Sequence, residues 1–285
     1  MAKKGLLHYL ILLLKYIYGL VKWVAITLWG LLKWLFFGLV LALKWVSSLL
    51  SAGARKIGHA YEHSKRPKGE AKLEPFVEIK RANGSLPDFE EKLYSGKSMI
   101  GLVLGSRGSG KSAIGMRIAE NIRATSKLPL YTVGFAKNSL PSWITPVEKF
   151  SEVKNNSFLL VDEGGIQFSS RNSMSELNKL LSELLLISRH KDISVLFITQ
   201  NSANIDINTL RQVDYLILKS PSLLQLDFER KKIKEIYEEA KEGFEEYKQE
   251  KGLAYIYSNY YKGFIANALP SFWSVNLSKS YRGKT

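Results

Sequence analysis

Apolar and polar residues follow three rhythms along this chain. From residue 6 to residue 50 the sequence is apolar with few interruptions, and those are regular. After Lys4 come Lys15, Lys22, Lys33 and Lys44, and the pairs Lys22-Trp23, Lys33-Trp34 and Lys44-Trp45 recur every 11 residues. At about 100° per residue these lysines form one narrow stripe, which predicts helix throughout. Beyond residue 98, short apolar runs alternate with helix-like segments. Strands are expected at 99–104, 130–135, 158–161, 194–199 and 215–218, and helices at 111–124 and 175–191. That alternation predicts an α/β fold with a mostly parallel sheet, whose ligand side lies at the carboxyl ends of the strands. The third rhythm is charge-dense. Residues 222–252 carry Glu and Lys at helical spacing and read as a solvated helical arm. Residues 253–285 read as a small hairpin, 253–258 and 263–266, with an aromatic anchor at Phe272 and Trp273. Residues 75–79 suggest an edge strand.

The apolar region is too long for a signal peptide. As one helix it would measure about 68 Å, roughly twice the hydrocarbon thickness of a bilayer. Three arrangements are open: two spans at 6–20 and 24–43, one tilted crossing flanked by an interfacial stretch, or a long helix packed in an oligomer with its lysines inward. Basic residues at Lys3-Lys4 and from Arg55 onward place both flanks of a two-span hairpin on the cytoplasmic side. The expected organisation is a membrane-embedded helical region at 1–50, a basic linker at 51–73 and a catalytic domain at 74–285. The expected location is the membrane, with the catalytic domain cytoplasmic and lipid as one partner. The cluster Lys65-Arg66-Pro67-Lys68 suits anionic headgroups.

The candidate chemistry begins at Gly105-Ser106-Arg107-Gly108-Ser109-Gly110-Lys111-Ser112, which fits G-x-x-x-x-G-K-[ST] at every fixed position. An expected strand precedes it and an expected helix follows, which is the setting the motif requires. The glycines let successive N–H groups turn toward phosphate oxygens. Lys111 would reach the β- and γ-phosphates, and the Ser112 hydroxyl would ligate Mg²⁺. The implied cofactors are ATP and Mg²⁺, with GTP an alternative nucleotide.

Asp162 and Glu163 follow the apolar run 158–161. Asp162 is placed to hold the metal shell, and Glu163 to polarise the attacking water as general base. Gln200 ends the next strand, where an amide can report on the γ-phosphate. An arginine finger would neutralise transition-state charge. Arg171, Arg189 and Arg211 are candidates, Arg211 being preferred, and Arg107 is set aside because it lies within the loop.

Glu163-Gly164-Gly165, Phe168 to Arg171, Ser188-Arg189-His190-Lys191-Asp192-Ile193, Ile198-Thr199-Gln200 and Ile205-Asp206 together resemble the zonular occludens toxin-like ATPases. That group includes assembly ATPases of filamentous phages and stands near the FtsK/HerA-type DNA pumps. The resemblance covers roughly residues 74–218. It implies a RecA-like P-loop core and a homo-oligomeric ring such as a hexamer. It also implies DNA as a partner, with viral coat or assembly proteins as further ones. Phage members carry their span after the ATPase, whereas here the apolar segment precedes it.

Net charge is +15, from 41 basic and 26 acidic residues, which suits phosphate-rich partners without selecting one. Neither a helix-turn-helix nor a zinc ligand set is legible, so sequence-specific DNA reading is not expected. The chain contains no cysteine, which excludes disulfides and metal–thiolate sites. Three functions stay open: a membrane-anchored motor for DNA translocation, genome packaging or virion assembly; a secretion- or pilus-type motor acting on protein; and a nucleotide-gated membrane scaffold.

Overall fold

A computed structural model describes residues 3–66, 69–95, 98–164, 181–183, 186, 188–274 and 277. The chain divides into two units, Met1–Ser64 and Lys65–Thr285.

The first unit is a single helix, α1 (Lys3–Lys65), 63 residues long. The lysine register predicts this continuity. No proline precedes Pro67, and a glycine costs a helix only about 1 kcal/mol, so Gly19, Gly30 and Gly38 do not stop it. Two expectations change as a result. No turn forms near Lys22, as a pair of spans would need, and residues 51–65 continue the helix instead of opening a linker.

The second unit is built on one nine-stranded sheet. Its strands are β1 (Val77–Gly84), β2 (Ile100–Leu104), β3 (Leu130–Val133), β4 (Ile144–Pro146), β5 (Ser157–Asp162), β6 (Ile193–Ile198), β7 (Tyr215–Leu218), β8 (Ala254–Ser258) and β9 (Tyr261–Ala266). They lie in the order β1-β9-β8-β7-β2-β6-β5-β3-β4. From β4 to β7 all pairings are parallel; β8, β9 and β1 then extend the sheet antiparallel. One strand therefore separates β2, which leads into the glycine loop, from β5, which ends in Asp162. That strand is β6, and β3, which falls between them in the sequence, lies beyond β5.

Side chains alternate across the sheet with the period of two that strands impose. Val103, Leu160 and Ile198 belong to one apolar cluster, and Leu102, Val161 and Phe197 to the other. The first lies under α2 (Leu86–Tyr94) and α3 (Lys111–Ser126). Ser85 caps α2 by accepting from the Asp88 N–H, with Pro87 in the first turn. Phe89 of α2 meets the edge of the Tyr215 ring at 5.5 Å.

The second cluster lies under α5 (Lys231–Glu246), which follows the short α4 (Leu223–Phe228). Ile233, Ile236, Tyr237, Ala240 and Phe244 of α5 are buried against the sheet. The charge-dense segment is thus a covering helix and not a solvated arm. Its charges occupy the outer face, and the apolar positions hidden among them fall on a single stripe. The expected helix at 175–191 falls largely outside the described residues; those described, 181–183, 186 and 188–191, are helical.

Arg117 and Glu120 fix the outer side of α3. They pair at 3.0 Å while fully buried. Arg117 also donates to the Ala268 and Leu269 carbonyls, and Glu120 accepts from the Lys72 N–H and from Ser271. Two distant stretches of chain are thereby held on the helix that carries Lys111. Phe272 and Trp273 pack on the same core, Phe272 edge-on to Trp143 at 5.3 Å, which is the packing role expected for that anchor.

Candidate functional site

The loop begins where β2 stops. Val103 is registered with Ile198 of β6 and Leu104 with Leu218 of β7, so the two flanking strands end level with it. Gly108 and Gly110 take φ of 81° and 90°, left-handed values that a side chain would resist. Ser106 donates through N–H and hydroxyl to the Ser220 carbonyl, tying the loop to the end of β7. Gly110 then starts α3 with no side-chain cap. The first-turn N–H groups of α3 remain available to an anion, and the helix dipole favours negative charge there.

Lys111 is buried, and its ammonium donates to the Gly105 and Ser106 carbonyls at 2.8 Å each. Burial lowers it to about 8, against the pull of Asp162 and Glu163. The Ser112 hydroxyl donates to Asp162 Oδ2 at 2.7 Å, across the 50 residues between them. A hydroxyl and a carboxylate are hard oxygen donors of the kind Mg²⁺ takes alongside phosphate and water. Ser112 and Asp162 are the residues that would hold it. Asp162 Oδ1 also accepts from the Gly164 N–H at 3.0 Å, which fixes the carboxylate plane.

Glu163 is buried, and the Thr199 hydroxyl donates to its Oε2. Thr199, one residue past β6, is therefore the strand-end side chain that orients the candidate base. Gln200, expected to report on the γ-phosphate, is exposed, and its carbonyl accepts from the Gln225 amide.

Arg211 caps the helical turn Ile207–Leu210 and precedes β7. It lies at the amino ends of the strands, about 13 Å of strand from the loop, so it does not belong to this subunit's own phosphate site. Arg107 and Arg189 are exposed, and Arg171 lies outside the described residues.

A second lysine, which no motif in the sequence marks, backs the loop. Lys219 follows β7, and its N–H donates to the Leu104 carbonyl at 2.7 Å. Its side chain is buried along the loop: a Cβ on Gly105 would meet Lys219 Cβ at 2.7 Å, and one on Gly110 would lie 3.6 Å from its Cε. Burial lowers its ammonium to about 7. Only the rule that strands flanking the loop end level with it could have singled out this residue. Glycine loop, paired hydroxyl and carboxylate, and oriented glutamate together build an ATPase site.

No protein-family model matches the chain, and no curated protein matches it. Among solved structures it is similar to the genome packaging NTPase B204 of Sulfolobus turreted icosahedral virus 2 bound to AMPPCP, at 15% identity and TM-score 0.41, covering 60% of this chain and 98% of that one. B204, the DNA-packaging ATPase of Sulfolobus turreted icosahedral virus, matches at 13% identity and TM-score 0.40, covering 61% and 99%. The KaiC-like protein PH0186 of Pyrococcus horikoshii OT3 matches at 12% identity and TM-score 0.33, covering 51% and 82%. Likeness at this level assigns the chain neither a family nor a substrate.

Proposed function

We propose that the chain is a membrane-attached, Mg²⁺-dependent ATPase that works as a ring of copies to move DNA, in genome packaging or virion assembly. The contact between Ser112 and Asp162, with Glu163 buried beside it, carries the ATPase part of this reading. The loop N–H groups and the start of α3 bind the phosphates, and Lys111 leaves its two carbonyls to bridge them. Mg²⁺, when bound, neutralises charge on the β- and γ-phosphates. Glu163, held by Thr199, orients and deprotonates the attacking water. An arginine from a neighbouring copy would complete the site, since Arg211 lies at the far end of the strands and Arg107 belongs to the loop itself.

DNA as substrate is supported by the resemblance of the Glu163–Gln200 segment to pumping ATPases and by the net charge of +15. Membrane attachment is supported by a 41-residue apolar stretch, Leu10–Leu50, within one helix. The decisive measurement is ATP turnover by the full chain in lipid, with and without DNA, over a salt series. DNA should raise turnover, and the gain should fall steeply with salt as counterions compete for phosphate contacts. Turnover that ignores DNA at low salt, in an assembled sample, would move the assignment to a motor acting on protein.

A further inference from the structure

The geometry of α1 points to a helix lying in the plane of an anionic lipid surface along Leu10–Leu50, not crossing it; this rests on the membrane attachment proposed above. The helix is continuous over those 41 residues, about 60 Å. Fitting that length across a hydrocarbon layer of about 30 Å would need a lean near 60°, beyond the roughly 0–40° that spanning helices adopt. A shorter crossing such as 24–43 would hold Lys33 near mid-bilayer, at a cost of about 3 kcal/mol. Lys15, Lys22, Lys33 and Lys44 leave only ten residues between the later pairs, and a crossing takes about 20.

The lysine stripe alone is too narrow for a helix at a water interface, but the aromatic residues widen it. Taking about 100° per residue, Trp23, Trp34 and Trp45 flank the lysines on one side and Trp29 on the other. With Tyr16, Thr27, Ser47 and Ser48 they lie in one sector of about 160°, which they share with Ile11, Leu12, Ile26, Phe37, Val40 and Leu41; every lysine, tryptophan and hydroxyl of the stretch apart from Tyr18 falls within it. Lys33 Nζ sits 5.5 Å from the Trp29 ring, which places that pair on the shared face. The Thr27, Ser47 and Ser48 hydroxyls donate to carbonyls of the preceding turn. The opposite sector is aliphatic, apart from Phe36 and the bordering Tyr18. Tryptophan and lysine are the residues that settle at headgroup depth, and aliphatic chains settle below them.

Charge selects the surface. No Asp or Glu occurs before Glu62, so the lysines have no acid of their own along the helix. A partner must offer anions and hydrocarbon in one layer, and an anionic lipid surface does so.

The chain lacks cysteine, so single spin labels report depth cleanly. Leu13→Cys, Leu32→Cys and Leu49→Cys, in full chain on phosphatidylglycerol vesicles, should give one common depth below the headgroups, with Thr27→Cys and Ser48→Cys shallower. Binding should be at least tenfold weaker on phosphatidylcholine alone. A depth that changes steadily from Leu13 to Leu49 would overturn the in-plane reading while leaving attachment intact. Strong coupling between labels at Thr27 or Ser48 of different copies would overturn it in favour of a lysine-lined bundle. Absence of vesicle binding would remove attachment as well.

Discussion

The Lys219 ammonium donates to the Gly252 carbonyl at 2.7 Å, joining the residue that backs the glycine loop to the turn ahead of β8. Gly252 holds φ of +80°, and a Cβ there would come within 2.0 Å of the Asn267 carbonyl oxygen. A side chain at 252 would displace the carbonyl that Lys219 uses. The phosphate loop is thereby braced from the antiparallel half of the sheet.

Stability should depend on pH through Lys219. Its folded ammonium titrates near 7 against an ordinary 10.5 because it is buried, so between those values the unfolded chain binds the extra proton. Stability then rises with pH across that window, by up to about 1.4 kcal/mol per unit, and the term is flat below it. Chemical denaturation at pH 7 and 9 should show the rise in the parent and a smaller one in Lys219→Met, where buried Lys111, lowered to about 8, still contributes above that pH. An equal rise in both would remove Lys219 as its source.

Binding and turnover should separate within the site. Lys111→Ala should abolish ATP binding. Glu163→Gln should bind ATP as the parent does and lose at least 100-fold in kcat, because only the water-activating group is gone. Ser112→Ala should weaken binding in Mg²⁺ and change it little in EDTA. Calorimetry with and without the metal reads all three.

Thr199→Val keeps the shape of the side chain and removes the hydroxyl that holds Glu163. We expect kcat to fall by about 10- to 100-fold with KM nearly unchanged, as for loss of a partner that orients a catalytic group. Gln200→Ala should cost less than threefold in a single subunit. If Gln200 proves the more costly change, the strand-end assignment is wrong.

Gly101→Ala tests packing under the loop. Its Cβ would fall 2.1 Å from the Tyr215 ring, in the middle of β2. That ring is fully buried and wedged against Phe89, so it has little room to retreat. A loss of about 1–3 kcal/mol is expected in denaturant unfolding, the usual cost of overpacking.

What could be read from the letters was what local chemistry dictates. The loop, its strand and its helix follow from glycine geometry and apolar spacing, so Gly105 to Ser112 and Asp162 were found with their partners. The contact of Thr199 with Glu163 joins residues 36 positions apart, which only the pairing of β5 with β6 brings together. The buried face of α5 was masked by its charges, although Ile233, Ile236, Tyr237, Ala240 and Phe244 keep helical spacing. The burial of Arg117 and Glu120 leaves no local signature, because the segments that cover them lie some 45 and 151 residues away in the chain. β4 has three residues, too few for any periodicity to register.

The ends of the sheet limit how copies can join. One border, β4, is three residues long and stops at Pro146, which has no N–H to offer a neighbouring strand. The other, β1, loses alignment with β9 at two irregular steps and carries Lys80 and Arg81. Neither border suits the addition of a tenth strand from another molecule. Copies that join through helices and loops would leave each nucleotide site free to be shared across a seam without fusing the sheets into a fibre.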